Sequence, residues 1–379
     1  MENAQEKQIK VTNGYFNIVV DVTPDESTFQ LNVPGKNNPL WIQSIFNPKV
    51  EADGNSMFMK FSSGYNSQKG KDLYLTSSQN TQMKISFADR GNEEIIKMVD
   101  DKSFIKVGYA KEIVKGEDGK EYKQWKFKKF LDFYDAIPFI QQLMPLGNTY
   151  KLHIVGKLKF TPYNGEVYRN YDLQTLYILT GNEDAGKEME YSLGFNQNMI
   201  VTSDSVDKSK LDDENVVYIN AKIMTKNKGN YETIPVKFSY PIPTDEDKRA
   251  KRLRLLDRAF LVDDDIVRRI NVTCKFECGY KSAEITYDDL PQEAKDMIDD
   301  DIYTMEEVAN LYGKSTRVDN LVIVRPIMKK TDTSIAMDFS DSEYTLSDLE
   351  GISAEIYEEI NVEEEETITD SILDELDNM

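Results

Sequence analysis

Apolar and polar side chains alternate along much of this chain, and the alternation is clearest between Ser103 and Thr180. Phe104–Ile113 and Glu121–Phe130 have the two-residue period and the aromatic and β-branched content of strands, and Gly116-Glu117-Asp118-Gly119 turns the chain between them. Thr149–Thr161 and Val167–Leu179 repeat the pattern across Pro162-Tyr163-Asn164-Gly165, where Asn-Gly between alternating runs is the strongest short-range signal of a hairpin. Between the two hairpins Phe133–Met144 is apolar and longer than a strand, which predicts a helix kinked or started near Pro138.

The rest of the chain reads in the same terms. Residues 1–100 are short strands and loops, with strands at Tyr15–Val22, Thr28–Val33, Trp41–Phe46, Met57–Phe61, Leu73–Thr76 and Met83–Phe87. Ser62–Lys71 reads as a flexible, weakly basic loop and Asn92–Asp100 as a short helix. Gly181–Glu214 is polar and irregular, a linker with a short strand near Tyr191. Val216–Met224 and Tyr231–Tyr240 then form a hairpin across Asn227-Lys228-Gly229-Asn230. Thr244 is placed to cap a helix running through Leu261, with Asp245, Glu246 and Asp247 favouring its first turn. Ile266–Cys278 and Lys281–Tyr287 read as a further hairpin across Gly279-Tyr280, followed by short helices at Pro291–Ile298 and Met305–Tyr312 and a strand at Asn320–Ile327.

Hairpin, helix, hairpin therefore occurs twice, at about 103–180 and 216–327. The order predicts a mainly β protein with short helices, in which two small curled sheets are each plugged by a helix, as in tandem OB-like barrels. The expected organisation is a β-rich region at 1–180 with its core at 103–180, a linker at 181–214, a second unit at 215–330 and a disordered acidic tail at 331–379. A five-stranded barrel needs one strand beyond the four counted in 103–180, so residues 1–100 are expected to lend one.

Charge changes the picture through its distribution. The formal net charge is −21, yet Thr331–Met379 carries 17 acids and no Lys or Arg, which leaves 46 bases against 50 acids in residues 1–330. A nearly neutral body with local basic patches carries an acidic tail. In Lys151–Thr161, Leu152, Ile154, Leu158 and Phe160 share one face, the core side, while Lys151, His153, Lys157 and Lys159 share the other. In Glu121–Phe130, Trp125 and Phe127 oppose Lys126 and Lys128. Lysines that track phosphates beside rings that stack on bases are the means by which single-stranded nucleic acid is held. Such residues are also ordinary in a core and on a solvated outer face. The nucleic-acid-binding candidates are Lys106, Tyr122, Trp125, Lys126, Lys128, Lys157, Lys159, Tyr163, Tyr168 and Arg169 in the first unit. In the second they are Lys226, Lys228 and Tyr231, with Arg249, Lys251, Arg252 and Arg254 on the 244–261 helix, where six cations stand in eleven residues. In the tail, composition alone argues against independent order. Ile372, Leu373, Leu376 and Met379 give its end a hydrophobic tip able to bind a partner as an induced helix.

Catalytic constellations are missing: there is one His, and no G-x-S-x-G, phosphate loop or H-E-x-x-H. Asp263-Asp264-Asp265 and Asp299-Asp300-Asp301 have the ligand chemistry for a divalent ion, but runs of this kind are more often solvated turns. No metal or cofactor is expected. Cys274 and Cys278 share a strand face too far apart to bridge, and read as reduced thiols. The opening MENAQEKQIK has no apolar stretch of a secretory leader and no run approaches a membrane span, so a cytoplasmic protein is expected.

The run Leu146–Ile178, LGNTYKLHIVGKLKFTPYNGEVYRNYDLQTLYI, resembles the OB-fold strands of phage and bacterial single-stranded-DNA-binding proteins, in which a strand with a basic face meets an Asn-Gly hairpin beside an aromatic. The acidic tail resembles the tails of replicative single-strand binders, although it ends Leu376-Asp377-Asn378-Met379 and not in Pro-Phe. The resemblance implies sequence-nonspecific binding of single-stranded DNA in phage-type replication or recombination, with the tail as autoinhibitor and as the contact for replication or recombination proteins. The rival reading is a virion or assembly protein of β-domains that binds no nucleic acid. An enzyme, such as a nuclease using the Asp runs, lacks a base and ligand cluster.

Overall fold

The computed structural model describes residues 9–115, 119–163, 165–182, 189–227, 230–282, 287, 290–300, 302–305, 308, 315–330 and 334–350. The chain is mainly β with short helices. The first hundred residues form β1 (Gly14–Val22), β2 (Phe29–Pro34), β3 (Trp41–Phe46), β4 (Lys49–Ala52), β5 (Asn55–Phe58), β6 (Phe61–Asn66), β7 (Asp72–Thr76), β8 (Gln82–Ser86) and α1 (Glu93–Met98). Then come β9 (Ile105–Lys115), β10 (Glu121–Phe130), α2 (Phe133–Leu143), β11 (Tyr150–Tyr163) and β12 (Glu166–Ile178). The carboxy-terminal half holds β13 (Ser192–Val201), β14 (Val206–Asp207), β15 (Val216–Asn227), β16 (Asn230–Pro241), α3 (Glu246–Phe260), β17 (Arg268–Ser282), α4 (Gln292–Asp299) and β18 (Ser315–Pro326). β19 (Met328–Lys330), β20 (Ile335–Met337), β21 (Phe339–Ser340) and a helix at Leu346–Glu350 follow.

One strand joins the halves. β1 pairs antiparallel with β11 along its whole length on one edge. On the other edge it pairs antiparallel with β13 over Gly14–Val19 and with β4 at Asp21 and Val22. Beyond β11 the sheet continues through β12, β9 and β10, with β12 and β9 parallel. Beyond β13, the pairs β13–β15, β15–β16, β16–β18, β18–β17 and β17–β13 form a closed circuit in which β16–β18 alone is parallel. α2 leads into β11 and α3 into β17, so an antiparallel pair, a helix and a second antiparallel pair occur in order in both halves. The strand that residues 1–100 lend to the first half is β1.

A single hydrophobic core runs through both halves. Phe16 of β1 lies 6.2 Å from Phe61 and 5.8 Å from Tyr171, Tyr171 lies 6.1 Å from Phe276, and Phe276 stacks on Phe195 at 4.5 Å. Each fully buried aromatic of this kind stabilises the fold by about 1.5–3 kcal/mol through the area it removes from water. α2 closes the inner side of the first half with Ala136, Ile137 and Ile140, all fully buried. It starts at Phe133, ahead of Pro138, because the Asp132 carboxylate accepts from the Tyr134 backbone N–H at 2.9 Å. Asp132 is itself fixed by the Ser63 hydroxyl at 2.6 Å and by Lys71 at 2.8 Å.

Several sequence expectations are corrected. The short strand expected near Tyr191 in the 181–214 linker is β13, which is ten residues long and carries the seam. Its Leu193, Phe195, Gln197 and Met199 point inward in strict alternation, but the inward Gln197 and the Gly194, Asn196 and Asn198 between them disguise the period. Gly279-Tyr280 is no turn: β17 runs straight through it, paired with β18 from Val272 to Ser282. Gly279 takes φ +119° where the β5 backbone closes in, and the Cys278 N–H donates to Asn55 Oδ1 at 3.2 Å. Part of the Ser62–Lys71 loop is β6, paired with β3. Asp245, not Thr244, caps α3 by accepting from the Lys248 N–H at 2.9 Å.

The tail is corrected most. Residues 334–350 fold back on the second half. Tyr344 and Leu349 are buried, at 3% and 4% exposure, against Ile200, Met224 and Val267. Arg268 pairs with both oxygens of Asp341 at 2.7 and 2.8 Å, and Arg269 pairs with Glu343 at 2.6 Å and Asp338 at 3.3 Å. The hydrophobes are few, but Tyr344 and Leu349 land on a prepared apolar patch, and the acids meet two arginines of β17. Residues 351–379, with Ile372, Leu373, Leu376 and Met379, lie outside the described residues.

Candidate nucleic-acid interface

The outward face of the β10–β9–β12–β11 row carries four rings in contact. Tyr177 of β12 is the centre. Trp125 and Phe127 of β10 meet it edge-on at 5.2 and 5.5 Å, and His153 of β11 stacks flat on it at 5.0 Å with 12° between the planes. All four are half-buried, and none belongs to the core cluster. Their meeting depends on Gly108 of β9. A Cβ there would stand 2.9 Å from Tyr177, 3.2 Å from Phe127 and 3.2 Å from Trp125, tighter than carbon atoms ordinarily approach.

Local chemistry fixes the platform. The His153 ring is hydrogen-bonded through Nε2 to Asn17 Oδ1 at 2.7 Å, and burial lowers its pKa below the ordinary value, so near neutral pH it stacks as an uncharged imidazole. Trp125 and Phe127, two apart on β10, share a face by the strand's own alternation, and a bulge on β9, where Tyr109 is the extra residue, sets Gly108 opposite Phe127. Asn182 seals the point where β9 leaves β12: its Oδ1 accepts from the Lys111 N–H at 3.2 Å, and its Nδ2 donates to the Ile178 and Tyr109 carbonyls.

Cations surround the rings. Lys111 Nζ stands 5.2 Å from the Trp125 ring centre. Lys106 and Lys129 share Asp101, whose carboxyl is held down at about 2 by its hydrogen bonds to Lys106 and then Lys129. Lys159 pairs with Asp172 across the strands at 2.5 Å, and Lys157 lies beside Tyr15 in the β11–β1 register. Rings exposed on one side and ammonium groups around them give a surface to which bases can stack while the backbone is neutralised.

The structure divides the residues singled out from sequence. Trp125, Lys106, Lys157 and Lys159 share this outward face, with Lys157 and Lys159 farther along β11, about 13 and 20 Å from His153 at roughly 3.3 Å per residue. Lys126 and Lys128 are on the other side of the same hairpin, where Lys128 Nζ sits 4.4 Å over the Phe139 ring of α2 and Lys126 5.9 Å over Tyr109. Tyr122 is 48% exposed on the hairpin beyond the platform. Tyr163 and Tyr168 contact each other edge-on at the end of the β11–β12 hairpin, and Asn164 at its tip lies outside the described residues. Arg169 is withdrawn from any such role: it reaches from β12 to pair with Asp319 of β18 and stands over Phe276, tying one half to the other.

The α3 cation cluster also divides. Arg249 donates to Asn215 Oδ1 at 2.6 Å. Arg252 lies 3.8 Å from the Tyr240 ring and donates to the carbonyls of Val324 and Ile323 at 2.7 and 2.9 Å. Both are fold contacts, because carbonyls left over at strand ends need donors. Lys251 and Arg254 face solvent. Lys226 lies over Tyr231 at 5.1 Å near the end of the β15–β16 hairpin, while Lys228 is outside the described residues. Among residues not singled out, Tyr177 is central to the platform. Its alternation in β12 marked it as outward-facing, but only the parallel β9–β12 pairing brings it to Trp125. Lys237, 3.6 Å over Tyr218, adds a second basic and aromatic pair on the β15–β16 face.

Asp263, Asp264 and Asp265 are exposed in a turn, and among the described residues no group of three metal-binding side chains converges. Cys274 and Cys278 are free and buried on the inward side of β17, with burial pushing the Cys278 thiol up to about 11. Among the described residues, no helix is long and apolar enough to cross a membrane. No family model matches the chain, and no curated protein or solved structure is significantly similar to it.

Proposed function

We propose that this protein binds single-stranded DNA with little sequence preference and serves replication or recombination in the cytoplasm, without catalysing a reaction. The observation that carries the reading is the platform of Trp125, Phe127, Tyr177 and His153 on an outward face with lysines around it. Rings buried for stability alone do not need to face outward over a glycine that clears space for them.

The fold supports the reading at a second level. In residues 192–326 the circuit order is first, second, third, fifth, fourth, with the third and fifth strands parallel and a helix before the fourth. That order supports an OB-like reading of this half, a fold that often carries single strands. The first half follows it in part, with β1, β11 and β12 in the first, fourth and fifth places. The described part of the tail belongs to the fold, so autoinhibition and the recruitment of replication or recombination proteins fall to residues 351–379, which still hold eleven acids and no bases.

Titration with oligo-dT, following tryptophan fluorescence at two salt concentrations, tests the proposal. Binding should quench Trp125 and weaken steeply with salt, as counterions released by lysine–phosphate contacts require. Trp125→Ala should lose about 1–3 kcal/mol of binding, the contribution of one stacked base, while the thermal midpoint holds. Salt-insensitive binding, or none at low salt, would leave an assembly protein as the better account.

A further inference from the structure

The outward face does not stop at β11. The strand registers carry it across the seam: Lys157 of β11 stands opposite Tyr15 of β1, Tyr15 opposite Asn196 of β13, and Asn196 opposite Thr273 of β17. The neighbouring row runs Val155, Asn17, Gly194, Lys275. Tyr15, Asn17, Asn196 and Lys275 are exposed, whereas Phe16, Ile18, Phe195 and Phe276, which alternate with them, are buried in the core. The hydrogen bond from the His153 ring to Asn17 links the platform directly to this row.

We infer that one nucleic-acid strand runs from the platform across the seam onto β13 and β17. In this track Tyr15 is a further stacking ring, Lys157 and Lys275 meet phosphates, and Asn17 and Asn196 offer hydrogen bonds to base edges. The inference rests on the single-strand reading above and gives that site its extent: one continuous track in place of a separate site in each half. Three observations carry it. Tyr15, the second residue of β1, is 44% exposed although β1 is paired on both edges there. Among the described residues, the side chains of Tyr15, Asn196 and Lys275 make no hydrogen bond or ion pair that would give them a fold role. The face is also bounded along β17, because Arg269 and Asn271 on the same side of that strand are taken by Glu343 and Asp338 of the folded-back segment.

From β10 to β17 there are six inter-strand spacings of about 4.8 Å, or roughly 29 Å across the face. At about 3.4 Å per nucleotide of a stacked strand, that breadth takes about 8 nucleotides, within the range of about 4–16 that single-strand sites occupy.

The test compares oligo-dT of about 4 nucleotides, the lower end of that range and about the breadth of the platform alone, with oligo-dT of about 20. It uses the full chain and its Trp125→Ala, Tyr15→Ala and Lys275→Gln variants, each checked for an unchanged thermal midpoint. Tyr15→Ala should weaken the long oligonucleotide about tenfold, the loss of one stacked base, and spare the short one, which the platform alone accommodates. Lys275→Gln, a change at an exposed site with no packing role, should lower the salt slope for the long oligonucleotide by about 0.7 and leave the short one unchanged. If Trp125→Ala weakens both lengths while Tyr15→Ala and Lys275→Gln weaken neither, the strand stops at β11; the track is then wrong and the binding function stands. If Trp125→Ala weakens neither, the platform is not a binding site and both readings fall.

Discussion

In the carboxy-terminal half, β13 pairs with β15 and with β17, and five strands close on themselves. In the amino-terminal half, β1 gives the corresponding edge to β13 and a short stretch to β4, and the row of strands ends at β10. The same order of pair, helix and pair thus produces a closed unit and an open one. The difference lies in what occupies one strand edge. Closure uses up the edges of the second half, and its outward cations are largely drawn into the fold, as Arg249, Arg252, Arg268 and Arg269 are. The open row leaves an edge at β10, where Lys123, Lys126, Lys128 and Lys129 discourage pairing with another chain. It also leaves a broad outward face on which rings from three strands meet.

If both halves share one core, damage to either should be felt by the whole. Phe16→Ala in the open half and Phe238→Ala in the closed half should each cost about 3–5 kcal/mol, and each should lower one thermal transition. Two separated transitions in calorimetry would show that the halves unfold independently. Truncation separates the folded and remaining parts of the acidic end. Removing 334–379 strips Tyr344 and Leu349 from their patch and should cost about 2–4 kcal/mol. Removing only 351–379 should leave the midpoint unchanged and tighten DNA binding at low salt, where a tethered polyanion competes best. An equal loss of stability from both deletions would place structure beyond Glu350.

Smaller effects separate the two sides of the open row. Lys157→Gln with Lys159→Gln should reduce the salt slope by about 1.4, while Lys126→Gln with Lys128→Gln, on the α2 side, should leave it unaltered. Equal effects from the two pairs would mean that DNA wraps the β9–β10 hairpin on both sides. The smallest change concerns Asp101. Its depressed pKa means that the stability it lends is present above the ordinary carboxylate range and is lost as pH falls toward about 2. The group is largely exposed, so acid titration should show only a slight loss in that window. Asp101→Asn should abolish the loss and release Lys106 and Lys129 for phosphate. Unchanged acid behaviour in the variant would remove Asp101 as its source.

Alternation in β10 and β11 disclosed which residues face out, including the opposition of Trp125 and Phe127 to Lys126 and Lys128. It could not disclose which outward residues are neighbours. Tyr177 reaches Trp125 through a parallel pairing between residues some seventy positions apart, and no local pattern encodes that. Arg169, Arg249 and Arg252 were legible as cations but not as fold contacts, because the carbonyls and the carboxylate they serve come from distant strands. The full length of β13 was hidden by the inward Gln197 and by its polar outward residues, the same Asn side chains that line the seam. The folded-back segment was hidden by average composition, which weighs many acids against few hydrophobes and takes no account of where each hydrophobe lands.

The β1–β13 pairing has a mechanical consequence. Two modules on a tether must be brought into register each time they grip one ligand, and the freedom of the tether is lost at that moment. Here six consecutive backbone pairs fix the spacing of the halves before any ligand arrives. The seam is a ruler: whatever lies across it meets both sides at a set distance and phase, with no search.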